Sequence, residues 1–208
     1  MRPPPLLAIS TAWNHNPQGN PETMLTEIKA LGLDAMELGY KLTVQELEKV
    51  IGLLEKMTMK VFSVHNFCPL PDDEPSARHP SNYYRLSAVD EKERRKAVEW
   101  TKKTVDTATR VGAKVVVIHG GTIDMESDPA AVLKRYKAGQ SDSKEFVHLK
   151  EEISNERRRN QAPFWESLIQ SLEDILPYAR QRKIEIGLET RYYPNEIPDF
   201  EEIGELLD

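Results

Sequence analysis

Cysteine is almost missing from this sequence: Cys68 is the only one in 208 residues. A disulfide within the chain is therefore excluded, and a reducing compartment fits that usage. Long hydrophobic runs are missing too. The apolar run at residues 6–9, behind Met1-Arg2-Pro3-Pro4-Pro5, is too short for a signal peptide or a membrane span. The chain is expected to be cytoplasmic, without a membrane partner. Positive charge is in deficit, with 28 Lys and Arg against 34 Asp and Glu and a formal net charge of -6. A broad nucleic-acid footprint needs a cationic face, so nucleic acid is not the expected partner. The sequence holds no G-x-G-x-x-G dinucleotide fingerprint and no G-x-S-x-G nucleophile elbow.

What is present fits a folded α/β protein. Apolar residues make up 39% of the chain and charged residues 30%, with the signs mixed as on exposed helix faces. Short apolar, β-branched runs alternate with longer amphipathic stretches, which is the pattern of a parallel sheet. Strands are expected near residues 6–10, 35–39, 60–65, 114–119 and 184–189. Asn20 is placed to cap a helix that has Pro21 at its first position and Met24, Leu25, Ile28 and Leu31 on its apolar stripe. Thr43 and Glu46 have the spacing of a capping box. A long segment, 66–89, follows the third strand. A helix over 90–111 ends at Gly112. Charged helical stretches are expected near 129–138 and 143–160, with Pro163 opening a separate helix. Asp199 and Glu202 begin a last helix, with Phe200, Ile203, Leu206 and Leu207 as its apolar stripe. The whole chain reads as one domain.

Strand phase selects the residues that carry chemistry, because side chains alternate faces with a period of two. In the third strand, Phe62 and Val64 face the helices, while Val61, Ser63 and His65 face the other way. The same rule groups Val115, Val117 and His119 in the fourth strand, and Glu185, Gly187 and Glu189 in the fifth. Three successive strands thus end in a potential metal ligand: His65, His119 and Glu189. Imidazole nitrogen with carboxylate oxygen suits Zn²⁺, Mn²⁺, Fe²⁺ or Co²⁺. Glu37 in the second strand shares that phase and stands between three roles: support for a ligand, substrate contact and structural ion pair. Arg191 is either a grip on a phosphate or sugar oxygen or an exposed loop charge. Trp13 and His15 follow the first strand, where an aromatic wall for a sugar ring would be useful. For His15, packing within the loop is the better reading. Gly120-Gly121 allows close backbone approach to a ligand or simply a tight turn. Arg157-Arg158-Arg159, behind Glu151, Glu152 and Glu156, reads as a solvated helix face.

Ser63-Val64-His65-Asn66-Phe67, Val117-Ile118-His119-Gly120-Gly121 and Gly187-Leu188-Glu189-Thr190-Arg191 resemble the third, fourth and fifth strand motifs of the xylose isomerase-like TIM barrel superfamily. That group holds sugar isomerases, ketose 3-epimerases, inosose dehydratases and related AP endonucleases. The resemblance implies a parallel (β/α)8 TIM-barrel fold, here a partial barrel of about five strands, with a divalent metal (Zn, Mn, Mg, Co or Fe) at strand ends. Glu189 matches the glutamate that ligates metal throughout the group. His65 and His119 match metal-binding histidines of the AP endonuclease branch; in the isomerase branch these positions more often line the substrate pocket. The ligands normally supplied by later strands do not occur in this sequence.

The leading expectation is a metal-dependent isomerase or epimerase acting on a sugar, sugar phosphate or polyol through an enediolate-type proton transfer. Glu189 and Glu37 are its candidate catalytic residues, and Trp13, Asn66 and Arg191 its candidate substrate contacts. The alternatives are a metal-dependent phosphodiesterase of the AP endonuclease type, and an inactive partial barrel that serves as a binding or assembly module. An open sheet edge at the fifth strand invites a homo-oligomer.

Overall fold

A computed structural model describes residues 7–72 and 79–207. Leu6, expected to open the first strand, lies outside the described residues, as do 73–78 within the long segment after the third strand and Asp208 at the end of the last stripe. The elements run β1 (Ile9–Ser10), α1 (Pro21–Ala30), β2 (Ala35–Leu38), α2 (Val44–Leu54), β3 (Lys60–His65), α3 (Glu91–Val111), β4 (Val115–Ile118), β5 (Gly121–Thr122), α4 (Ala130–Lys137), α5 (Lys144–Gln181), β6 (Glu185–Leu188), β7 (Glu196–Ile197) and α6 (Phe200–Leu207). A 3-10 turn at Pro80–Asn82 precedes α3. Among the described residues, no helix is long and apolar enough to cross a membrane.

By its internal contacts the chain divides into two compact units, each assembled from three stretches of sequence. Unit 1 comprises Met1–Tyr83, Ala97–Ile118 and Asp174–Gly187; unit 2 comprises Tyr84–Lys96, His119–Glu173 and Leu188–Asp208.

Unit 1 holds the sheet, in the order β1-β2-β3-β4-β6. β1, β2, β3 and β4 pair in parallel, and the Glu185 N–H donates to the Lys114 carbonyl where β6 joins β4. The expected strand phase holds for Glu37, Ser63 and His65, but not for Val61: the register shifts between Met36 and Glu37, so Val61 pairs with Met36 and shares its buried side while Phe62 is only half-buried. Glu37 pairs with Ser63 and Leu38 with Val64, while Ser63 pairs with Val115 and His65 with Val117. Leu38, Val64, Val116 and Ile118 are completely buried, as residues facing the helices should be. The helices form for the predicted local reasons. The Asn20 side chain accepts from the Glu22 N–H with Pro21 in the first turn. Thr43 and Glu46 close a capping box, and the Asp90 carboxylate accepts from the Glu93 N–H. Met24, Leu25 and Ile28 of α1, Leu47 and Val50 of α2, and Ala97, Trp100, Val105 and Ala108 of α3 build the core. Gly112 ends α3 at φ 74, a conformation that side chains with a Cβ resist.

Unit 2 contains a two-stranded antiparallel ribbon, β5 with β7, together with α4, α6 and most of α5. Leu86, Ile123, Ile153, Phe164, Leu168 and Ile197 are among its buried apolar residues. Three expectations are corrected here. Pro163 opens no new helix: α5 runs unbroken from Lys144 to Gln181. Proline removes one backbone donor and disfavours a helix interior, but Ile153, Phe164, Leu168, Leu172 and Ile175 continue one buried stripe across it. Their burial outweighs the local preference. In α6, Phe200 and Leu207 are exposed and the buried residue is Glu202. The third correction concerns the arginine run. Arg158 and Arg159 are exposed, but Arg157 is only 8% exposed and pairs with Glu202 through both guanidinium nitrogens, at 2.9 and 2.7 Å. Glu156 is buried too, its carboxylate accepting from the Glu126 and Ser127 N–H groups.

Candidate functional site

Each candidate ligand sits at, or one residue past, the C-terminal end of a strand: His65 ends β3, His119 follows β4 and Glu189 follows β6. In TIM-type barrels that end carries the chemistry. His65 is buried in unit 1, with the Tyr40 ring edge-on at 5.0 Å between centroids. Its Nδ1 lies 2.9 Å from the Asn66 carbonyl oxygen. A carbonyl only accepts, so Nδ1 carries the proton and the neutral ring has its lone pair on Nε2. That is the tautomer a metal-ligating histidine needs.

Asn66 is fixed at both ends of its amide. Nδ2 donates to Thr101 Oγ1 at 2.9 Å, and Oδ1 accepts from Thr104 Oγ1 at 2.8 Å. Its backbone N–H donates to the Val117 carbonyl. Asn66 therefore ties the end of β3 to α3 and β4. Glu37 accepts from Ser63 Oγ at 2.8 Å, as the shared strand phase requires. Burial, and then the Glu37 charge, push the Cys68 thiol up to about 12. Thiolate chemistry at neutral pH is excluded at this position. Trp13 is 59% exposed. His15 is packed in its loop and bonds Glu46 at 3.1 Å, in line with the structural reading.

Unit 2 brings His119, Glu189 and Arg191 together. The His119 side chain is 8% exposed and that of Glu189 50%, with His119 Nε2 and Glu189 Oε2 3.8 Å apart. Two ligands on one tetrahedral ion, each about 2.0–2.2 Å from it, lie roughly 3.4 Å from each other. A half-exposed glutamate can make up the difference by a small side-chain movement. Arg191 Nη1 stands 3.4 Å from His119 Nδ1, and Arg191 Nε is 3.2 Å from Glu196 Oε1. A guanidinium only donates, so this contact places the lone pair of neutral His119 on Nδ1 and the proton on Nε2. Ligation through Nε2 requires the proton to move and the Arg191 contact to loosen. The nitrogen and oxygen donors otherwise fit a divalent ion.

Glu196, Arg157 and Glu202 were not singled out as site residues by the sequence. Burial raises the Glu196 carboxyl above its ordinary range, against hydrogen bonds from Tyr193 and the Arg191 charge. Glu196 follows no strand of the main sheet and holds Arg191 from a two-residue ribbon, which no periodic pattern reveals. Gly120 and Gly121 serve the chain itself. A Cβ on Gly120 would meet the Ile197 carbonyl oxygen at 2.3 Å, and one on Gly121 the Ser87 Oγ at 2.3 Å.

Comparison with known proteins agrees with the parallel α/β fold. A family profile described as xylose isomerase-like TIM barrel matches residues 25–208. No curated protein sequence matches the chain. Among solved structures, a D-tagatose 3-epimerase-like protein is similar at 15% identity and a TM-score of 0.54, over 89% of this chain and 54% of that one. L-ribulose 3-epimerase is similar at 14% identity and a TM-score of 0.58, over 91% and 50%. 3-Keto-D-glucoside 4-epimerase from E. coli is similar at 12% identity and a TM-score of 0.58, over 92% and 57%. The chain thus spans about half the length of these structures, and at such identities the likeness concerns the fold. With the profile covering nearly all of the sequence, the chain belongs to the xylose isomerase-like TIM barrel family.

Proposed function

We propose that this chain supplies strand-end groups to a metal-dependent isomerase or epimerase acting on a sugar, sugar phosphate or polyol. The observation that carries the reading is the approach of His119 to Glu189 at the ends of two β/α units, beside a guanidinium. His65 in unit 1, and His119 and Glu189 in unit 2, are residues of the types that hold a divalent metal ion, and the His65 tautomer supports ligation. The similar solved structures named as epimerases of ketoses and of a keto-glucoside support a sugar substrate.

These groups would hold a divalent ion, which would supply Lewis acidity to the substrate. Glu189 accepts the proton from the carbon next to the substrate carbonyl and returns it. Its half-exposed position lets it serve both donor set and substrate. Glu37, oriented by Ser63, binds a substrate hydroxyl through its remaining acceptor capacity. Arg191, anchored by Glu196, grips a substrate oxygen once its contact with His119 loosens. Trp13 offers an aromatic face to the sugar ring, and Asn66 holds the His65 turn in place.

Proton transfer next to a carbonyl leaves an isotopic trace. A panel of ketoses and ketose phosphates incubated with the protein and Mn²⁺ in D2O should gain deuterium at that carbon, read by NMR. Glu189→Gln should slow the exchange about 100-fold or more, the usual worth of a positioned acid–base group. Absence of exchange across the panel, or an undiminished rate in the variant, would overturn the assignment.

A further inference from the structure

Unit 1 has a half-open cavity of about 170 Å³ between the loop after β1 and helices α1 and α2, lined by Asn14, His15, Asn20, Thr23, Glu27 and Glu46 among others. A single water needs about 10–15 Å³ of such space, and drug-sized sites run to about 300–1,000 Å³. The cavity therefore has room for a compact polar group and not for a large ligand.

Its hydrogen-bonding inventory is one-sided. Both amide hydrogens of Asn14 are used, Nδ2 donating to the Met24 carbonyl and to Glu27 Oε2, each at 2.9 Å. Asn14 Oδ1 is buried and has no hydrogen-bond partner among the described residues. The His15 side chain is 6% exposed, with Nε2 3.1 Å from Glu46 Oε1. Glu46 is held ionised: burial works to raise its carboxyl, but hydrogen bonds from Thr43 and the pairing with His15 outweigh it. An ionised carboxylate only accepts, so His15 Nε2 donates to it, and in the tautomer with its proton there Nδ1 is an acceptor. Nδ1 is likewise buried with no partner among the described residues. Two buried acceptors thus sit in one wall with no protein group among the described residues donating to them, so a bound donor can pair with both. The lining contains two carboxylates and neither lysine nor arginine.

We propose that this cavity binds a primary ammonium group. Three N–H donors on one small cation match Asn14 Oδ1, His15 Nδ1 and the Glu27 carboxylate, and the surrounding negative charge selects the cation. An anion is repelled by the same charge. A neutral polyol brings lone pairs to a wall already rich in acceptors. A quaternary ammonium has no donor to give, and His15 is the only aromatic ring of the lining. Among the described residues, the acidic and histidine groups here do not form a metal-ion set.

The test is an NMR titration of the full chain with methylammonium, tetramethylammonium and glycerol as separate probes. Methylammonium should give saturable shifts at the Asn14 amide and the His15 ring. Tetramethylammonium and glycerol should bind at least tenfold more weakly. Glu27→Gln should weaken methylammonium binding at least tenfold, and because Glu27 is exposed the variant should keep the wild-type melting temperature. Equal affinity for the three probes, or no saturable shift with methylammonium, overturns the proposal with the wild-type protein alone. Affinity unchanged in a folded Glu27→Gln variant overturns the role of that carboxylate. None of these outcomes depends on the isomerase reading.

Discussion

At the scale of single residues, protonation decides what the strand ends can do. His65 is set by the Asn66 carbonyl in the tautomer that leaves Nε2 for a ligand. His119 is set the other way by Arg191. On the proposed function, Arg191 would compete with a metal ion at His119, at the cost of about one hydrogen bond. Arg191→Gln should bind Zn²⁺ about 2- to 10-fold more tightly than wild type, measured by competition with a chromophoric chelator. Weaker binding in the variant would mean that the guanidinium supports the site. The positions of His65, His119 and Glu189 at strand ends were legible in the sequence because β-branched neighbours fix the alternation. The Glu37–Ser63 hydrogen bond shows that these two side chains share a face, as the alternation predicted, while the register shift beside them moved Val61 off that face. The tautomers were not legible, since they depend on a carbonyl and a guanidinium whose placement only the folded chain defines. Arg157 was misread for a related reason. Its carboxylate partner Glu202 lies 45 residues away, while the acids beside it in sequence suggested a solvated face.

At the scale of elements, the helices with explicit caps were read closely, because Asn20 and Thr43 each state a start in local chemistry. β5 and β7 escaped notice because two residues carry no period. The division of α5 at Pro163 gave weight to a local rule that a long buried stripe overrides. The attachment of α6 depends on charge more than on its apolar residues. Glu202 accepts from the Asp199 N–H as part of the cap and also receives Arg157. Removing one member of such a buried pair leaves the other uncompensated. Arg157→Ala should therefore destabilise the protein by about 3–5 kcal/mol, and Arg157→Met with Glu202→Leu by much less. Urea melts of the three proteins decide it. A loss below about 1 kcal/mol in the single variant would place Arg157 among weak surface charges.

At the scale of the whole molecule, the alternation of strands and helices announced the α/β class, and the strand-end motifs at His65, His119 and Glu189 resembled the family. The division into two contact units did not appear in the sequence, because each unit gathers three separate stretches and no linker or composition shift marks a boundary. A metal that binds only the folded chain adds to its stability, by about 2.7 kcal/mol when free metal stands at 100 times its dissociation constant. The most direct measurement is calorimetric titration of Zn²⁺ or Co²⁺ into the wild-type chain and into His65→Ala, His119→Ala and Glu189→Gln. One saturable ion per chain, weakened at least tenfold by each substitution, is the predicted result. Binding of the same stoichiometry and affinity in all four proteins, or no binding to any, would contradict the assignment of these three side chains as a metal centre.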